Sequence, residues 1–194
     1  MTTQLSYAQS QDNTLVLEGI SWEIFEQLAT ILQDVEGTKL VYLDGDLEIR
    51  MSPSKAHEEA KSTIGLLLEA YLRAKHIRFY ATGSITLGQK DTLGRKEPDE
   101  SYTLYRKKDI PDLVVEVVIS SGSINILEIY RRIGVPEVWF YQDEALTVYS
   151  LSNNQYLKVK HSSLLPELSL EHFAQYIRYS DQYDAVTEFI ESFK

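Results

Sequence analysis

Pro111-Asp112-Leu113-Val114-Val115-Glu116-Val117-Val118-Ile119 is the stretch on which the fold turns. Its β-branched residues describe a strand buried on both faces, the pattern of a sheet interior rather than of a solvated hairpin. Glu116 interrupts that pattern at its centre. A lone ionised carboxylate in such a strand is strongly disfavoured, which leaves three states: protonated, paired with a cation, or bound to a metal. Upstream, Glu97-Pro98-Asp99-Glu100 leads into Ser101-Tyr102-Thr103-Leu104-Tyr105, a second short strand. Pairing of these two strands would bring Asp99 and Glu116 together.

Downstream, Ser121-Gly122-Ser123 prepares a helix start. Ile126, Ile129/Tyr130 and Ile133 make an apolar stripe that Gly134 ends. Val135 to Tyr141 is again strongly β, so strand, helix and strand form a crossover whose strands should run parallel. Leu146 to Leu151 and Tyr156 to Val159 follow as an antiparallel pair joined at Asn153-Asn154, and helices follow near Leu170 to Arg178 and Tyr183 to Phe193. Towards the N-terminus, Leu15-Val16-Leu17 is a short strand and Ser21 caps a helix from Trp22 to Gln33. Asp44-Gly45 joins a hairpin of Lys39 to Leu43 and Asp46 to Met51. The longest helix follows Ser52-Pro53-Ser54 and runs to about Lys75, with His57, Glu58 and Lys61 in its first turns; Glu58 and Lys61 share one edge at i,i+3 spacing. Ile77 to Tyr80 and Ser84 to Leu87 read as strands, and Gly88 to Lys96 as a polar loop.

These elements define an α/β domain with a mixed sheet. At 194 residues with no Pro/Gly/Ser-rich linker, residues 1–194 are expected to form one domain, with 1–13 a flexible N-terminal segment. The absence of cysteine excludes disulfides, thiolate metal sites and a Cys nucleophile, and favours a reducing compartment. No window approaches the roughly 20 apolar residues of a membrane span and no secretory signal is evident, so a cytoplasmic protein is expected. The net charge of −10 argues against extended non-specific contact with nucleic acid. A local cluster such as Arg106-Lys107-Lys108 can still hold a phosphate backbone.

Carboxylates without cysteine suit Mg²⁺ or Mn²⁺ better than Zn²⁺, and such an ion activates water for phosphodiester hydrolysis. The motifs together resemble the PD-(D/E)xK nuclease superfamily, and more closely the Uma-two family of restriction endonuclease-like proteins. The resemblance covers Asp44 to Pro53 with His57-Glu58, then Glu97-Pro98-Asp99-Glu100, Pro111 to Val118, and Leu127 to Phe140. It implies a restriction endonuclease-like mixed β-sheet flanked by helices, with an N-terminal helix and hairpin and a C-terminal helical extension. It also implies Asp99 and Glu116 as metal ligands, Glu58 and Glu48 as outer members of the acidic site, and His57 as their orienting partner. DNA is the implied substrate and a homodimer the implied assembly.

One position departs from that pattern. The superfamily's lysine usually stands two residues after the strand acid, where this chain has Val118. The Uma-two pattern instead resembles Asp-Lys on the following helix, where this chain has Asn125-Ile126. Ile126 cannot position or deprotonate water, and its place in the apolar stripe gives it a core role. Either Lys61 supplies the amine from the long helix or hydrolysis is weakened. The competing readings are a non-catalytic nuclease-fold module that binds nucleic acid or a protein partner, and a Glu116 held in a buried ion pair. For Glu48, a solvent-exposed pairing with Arg50 is the plainer expectation.

Overall fold

The computed structural model describes residues 13–51, 54–118 and 123–193. Residues 1–12 of the expected flexible segment, Ser52-Pro53 and Ser121-Gly122 lie outside the described residues. In chain order the elements are β1 (Asn13–Leu17), α1 (Trp22–Leu32), β2 (Thr38–Leu43), β3 (Asp46–Met51), α2 (Lys55–Ala74), β4 (Phe79–Ala81), β5 (Leu87–Gln89), β6 (Gly94–Lys96), β7 (Glu100–Leu104) and β8 (Leu113–Val118). Then come α3 (Ile126–Ile133), β9 (Glu137–Gln142), β10 (Ala145–Ser152), β11 (Gln155–Val159), α4 (Leu170–Ile177) and α5 (Gln182–Glu191). The elements fall into two compact units: Met1–Ser54, Thr86–Glu97 and Ser120–Ile133 form the first; Lys55–Ile85, Pro98–Ile119 and Gly134–Lys194 form the second. Among the described residues, no helix is long and apolar enough to cross a membrane.

The first unit carries an antiparallel sheet in the order β1-β3-β2-β6-β5. Asp44 and Gly45 both adopt positive φ, 51° and 101°, the combination a two-residue hairpin turn requires. Ser21 caps α1 by accepting the Ile24 N–H at 3.3 Å. The buried face of α1, Trp22 and Phe25, packs on Tyr42 and Leu47, with Phe25 stacked on Tyr42 at 4.6 Å. The stretch expected to be a polar loop is instead β5, a 3₁₀ turn at Lys90–Thr92, and β6. Its register rests on backbone chemistry rather than apolar alternation. Gly88 sits at φ +98°, and a Cβ there would fall 2.0 Å from the Gly94 carbonyl oxygen. The Thr92 hydroxyl lies 2.7 Å from the Gln89 carbonyl and accepts the Gln89 N–H at 3.1 Å.

Helix α3 also belongs to the first unit. Ile129 is buried with Val41 and Ile124, and Ile133 and Leu43 pack against them. Ile126, expected within the apolar stripe, is only half-buried and stands outside that cluster. The correction follows from helix geometry: Ile124, before the first helical turn, takes the inward place, while Asn125 Oδ1 accepts the Glu128 N–H at 3.2 Å.

The second unit holds a six-stranded sheet in the order β11-β10-β9-β8-β7-β4. The β8–β9 pair is parallel and its other neighbours are antiparallel, as the crossover pattern requires. Leu113, Val115 and Val117 of β8 enter the core formed with Ile64, Leu67, Leu68 and Tyr71 of α2, and with Trp139 and Phe173. By strand alternation Val114 and Glu116 face the other way. At the start of β9, Glu137 is fully buried. Its carboxylate accepts Trp139 Nε1–H at 2.7 Å, the Ser163 N–H at 2.8 Å and the Ser162 hydroxyl. These three donors make burial of its charge tolerable.

Candidate active site

The register of β7 against β8 sets Glu100 opposite Val115 and Ser101 opposite Val114. One step outward, Asp99 stands beside Glu116. The backbone confirms the approach, because Asp99 Oδ2 accepts the Val117 N–H at 2.9 Å. Asp99 and Glu116 are 4% and 2% exposed, so both carboxylates sit where water screens them poorly. The Ser84 hydroxyl donates to the Asp99 carbonyl at 3.2 Å and fixes the backbone of the Pro98-Asp99 turn.

The first turns of α2 supply the rest. His57 Nε2 lies 3.2 Å from Asp99 Oδ2, and its Nδ1 lies 3.3 Å from Glu58 Oε1. A neutral imidazole has one N–H, so only the doubly protonated ring donates to both carboxylates. Lys61 Nζ donates to Glu58 Oε2 at 3.1 Å across the expected i,i+3 edge. Burial pushes the Glu58 carboxyl up, but the hydrogen bonds and charge of Lys61 and His57 outweigh it and hold the group below its ordinary range. Glu58 therefore stays ionised, and Lys61, Glu58, His57 and Asp99 form one continuous chain of charge-assisted contacts.

Glu48 has a different setting. It belongs to the first unit, is fully buried, pairs with Arg50, and accepts the Ser123 N–H at 3.0 Å. The expectation of a solvated Glu48–Arg50 pair is corrected: the ion pair exists, but the carboxylate lies in the interior. Asn125 caps α3 and Ile126 is half-buried. Sequence reading missed the second buried acid of the parallel strands, Glu137. The signal was present in Val135-Pro136-Glu137-Val138-Trp139, a carboxylate in a β run much like that around Glu116.

Among the described residues, no group of three or more His, Asp or Glu side chains is arranged to hold a metal ion. The arrangement is thus two buried carboxylates on neighbouring strands, with an imidazole linking one of them to a third carboxylate. The family described as "Uma2: Putative restriction endonuclease" matches residues 22–178, and the chain belongs to that family. Among solved structures, "a putative nuclease belonging to DUF820 from Anabaena variabilis ATCC 29413" is similar, with a TM-score of 0.45 and 13% identity over 77% of this chain and 90% of that one. No curated protein matches the chain.

Proposed function

We propose that this chain is a Mg²⁺- or Mn²⁺-dependent endonuclease that hydrolyses phosphodiester bonds, with DNA as the favoured polymer, and that Asp99 and Glu116 hold the cation. The observation that carries this reading is the His57 bridge, 3.2 Å from Asp99 and 3.3 Å from Glu58, which ties the α2 acid to Asp99, the neighbour of Glu116. The donor set fits a hard ion. Mg²⁺ is commonly bound through one or two carboxylates, with waters and substrate phosphate oxygens completing its shell, so a preformed group of three protein ligands is not required. When bound, such an ion polarises a phosphoryl oxygen and acidifies water.

The chain's own residues do the remaining work. The Val117 N–H and His57 hold Asp99 Oδ2 from two sides and so fix the direction in which its other oxygen points. Lys61, hydrogen-bonded to Glu58, takes the part of the amine that Ile126 cannot supply, orienting water and opposing the negative charge that develops on the phosphate. Where Lys61 does not fully replace the lysine that the resemblance expects at Ile126, hydrolysis is weakened.

Cleavage of supercoiled plasmid in Mn²⁺, combined with calorimetric titration by Mn²⁺, tests the proposal. Wild type should nick slowly and bind the ion; Glu116→Gln should lose both. Lys61→Ala should keep Mn²⁺ binding and lose about 10²- to 10⁴-fold in rate. Unchanged cleavage by a folded Glu116→Gln would overturn the assignment. Absent Mn²⁺ binding and cleavage, with oligonucleotide binding intact, would favour the second reading of a non-catalytic binding module, to which Ile126 points.

A further inference from the structure

Arg106-Lys107-Lys108 is the densest run of positive charge in a chain of net charge −10, and the acidic site makes no use of it. The loop that carries it is built to a fixed shape. Tyr105 takes a positive φ of 66°, its N–H donates to the Arg78 carbonyl, and the Arg106 N–H turns back to the Leu104 carbonyl at 2.8 Å. The buried Asp112 closes the loop by accepting the Leu104 N–H at 2.7 Å and pairing with Lys108. Lys108 is thereby neutralised. Lys107 makes no ion pair among the described residues, and its Nζ is held 5.6 Å from the centre of the Tyr80 ring.

Tyr80, Thr82, Thr103, Lys107, Lys108 and Asp109 line a cavity of about 700 Å³ beside the edge strand β4. Thr103 is 1% exposed, and its hydroxyl has no hydrogen-bond partner among the described residues. An orphaned buried hydroxyl is destabilising, and its retention beside an unpaired ammonium and an aromatic ring points to a ligand that uses it. In β7, Tyr102 and Leu104 enter the core, so Thr103 and Ser101 lie on the other face, the one to which Asp99 belongs by parity. Four residues of antiparallel strand separate Asp99 from Thr103, about 13 Å, or about four nucleotides at the duplex rise of about 3.4 Å per nucleotide.

We propose that this cavity is a second phosphate subsite, in which Lys107 and the Thr103 hydroxyl hold a backbone phosphate of the nucleic acid whose scissile phosphate lies at Asp99, while Tyr80 offers its ring to a base or sugar. The inference rests on the nuclease reading. Lys107 provides the charge, Thr103 a neutral donor and Tyr80 a stacking surface, the combination by which proteins track nucleic-acid strands without reading sequence. Asp109 on the rim sets a limit by disfavouring a second closely spaced phosphate.

Fluorescence anisotropy of a labelled duplex oligonucleotide without divalent metal, across about 50 to 200 mM salt, tests the subsite. Lys107→Gln should weaken binding about tenfold and lower the slope of log affinity against log salt by about one. Thr103→Val should weaken binding while thermal stability stays level or rises, an outcome a structural threonine would not produce. Lys160→Gln, at an exposed lysine elsewhere, should change neither. Unchanged binding in Lys107→Gln or Thr103→Val, or equal loss in Lys160→Gln, overturns the proposal. Displacement by inorganic phosphate beyond that caused by chloride at equal ionic strength should be lost in Lys107→Gln; its persistence there overturns the proposal. If the subsite variants bind normally while Glu116-dependent cleavage persists, the subsite alone fails; if wild type neither binds nor cleaves, the nuclease reading fails with it.

Discussion

Asp99 has a structural role and, in the proposed function, a cation-binding one, and substitution can separate them. Its Oδ2 accepts a hydrogen bond from the buried Val117 N–H at 2.9 Å and faces His57 Nε2 at 3.2 Å. Asp99→Ala removes the acceptor and strands a buried amide, a loss of about 1–3 kcal/mol, and also removes a charge-assisted contact of similar size. Relief from burying the carboxylate returns part of this, so a net loss of about 2–4 kcal/mol is expected. At about 2–4 °C per kcal/mol for a chain of this length, melting should fall by about 5–15 °C. Asp99→Asn, with its amide oxygen in the place of Oδ2, keeps an acceptor for the Val117 N–H and for a His57 Nε2–H, so it should melt within about 4 °C of wild type, a loss under about 1 kcal/mol. It nevertheless removes the negative charge that a cation needs, and Mn²⁺-dependent nicking should disappear. Calorimetric melting and plasmid nicking on the two variants check both halves. An Asn variant that melts as low as the Ala variant would show that charge, not the amide acceptor, holds the turn; an Asn variant that nicks like wild type would remove Asp99 from catalysis.

Gly88→Ala should destabilise the β5–β6 hairpin by at least about 2 kcal/mol, because the new methyl meets the Gly94 carbonyl at 2.0 Å while φ stays at +98°; an unshifted melting curve would contradict the close approach. Glu137→Ala leaves Trp139 Nε1–H, the Ser163 N–H and the Ser162 hydroxyl without their acceptor. A loss of about 3–5 kcal/mol and altered tryptophan emission are expected in urea titration, and a loss below about 1 kcal/mol would count against the network. Glu128 is held down to about 2 by its hydrogen bond from Arg131, opposed by burial and reinforced by Arg132. A carboxylate depressed in this way stabilises the fold above its unfolded value, near 4.5, and that contribution fades as pH falls from there towards 2. Urea midpoints should therefore fall less steeply across this window in Glu128→Gln than in wild type; parallel curves would exclude Glu128 as a source of acid sensitivity.

Much of this architecture could be read from local pattern. The run from Leu113 to Val118, the Asp44-Gly45 turn and the Ser21 cap each carry their instruction within a few residues, and each forms as read. The 88–96 segment could not be read this way, since its strands are three residues long and depend on one carbonyl approaching a residue that lacks a side chain. At the candidate site, residue types pointed to Asp99 and Glu116, the resemblance added Glu58 and His57 and raised Lys61 as a substitute amine, and strand pairing brings Asp99 next to the 116–117 peptide. The resemblance implied His57 as an orienting partner, but a helical i,i+1 pair does not say which acid the ring meets 42 residues away. Glu48 shows the converse limit: its alternation with Leu47 and Ile49 suggested a wet face, yet the Ser123 amide and Arg50 make an interior place habitable for its charge.

The interleaving of the two units along the polypeptide has a consequence for biosynthesis. The first unit cannot close until its α3 segment has left the ribosome at Ile133, by which time part of the second unit has also emerged. Its early hairpin must therefore wait with an incomplete sheet, exposing unpaired β-edges to other nascent chains. Truncations ending before residue 133 should be recovered as insoluble material rather than as an isolated N-terminal fragment.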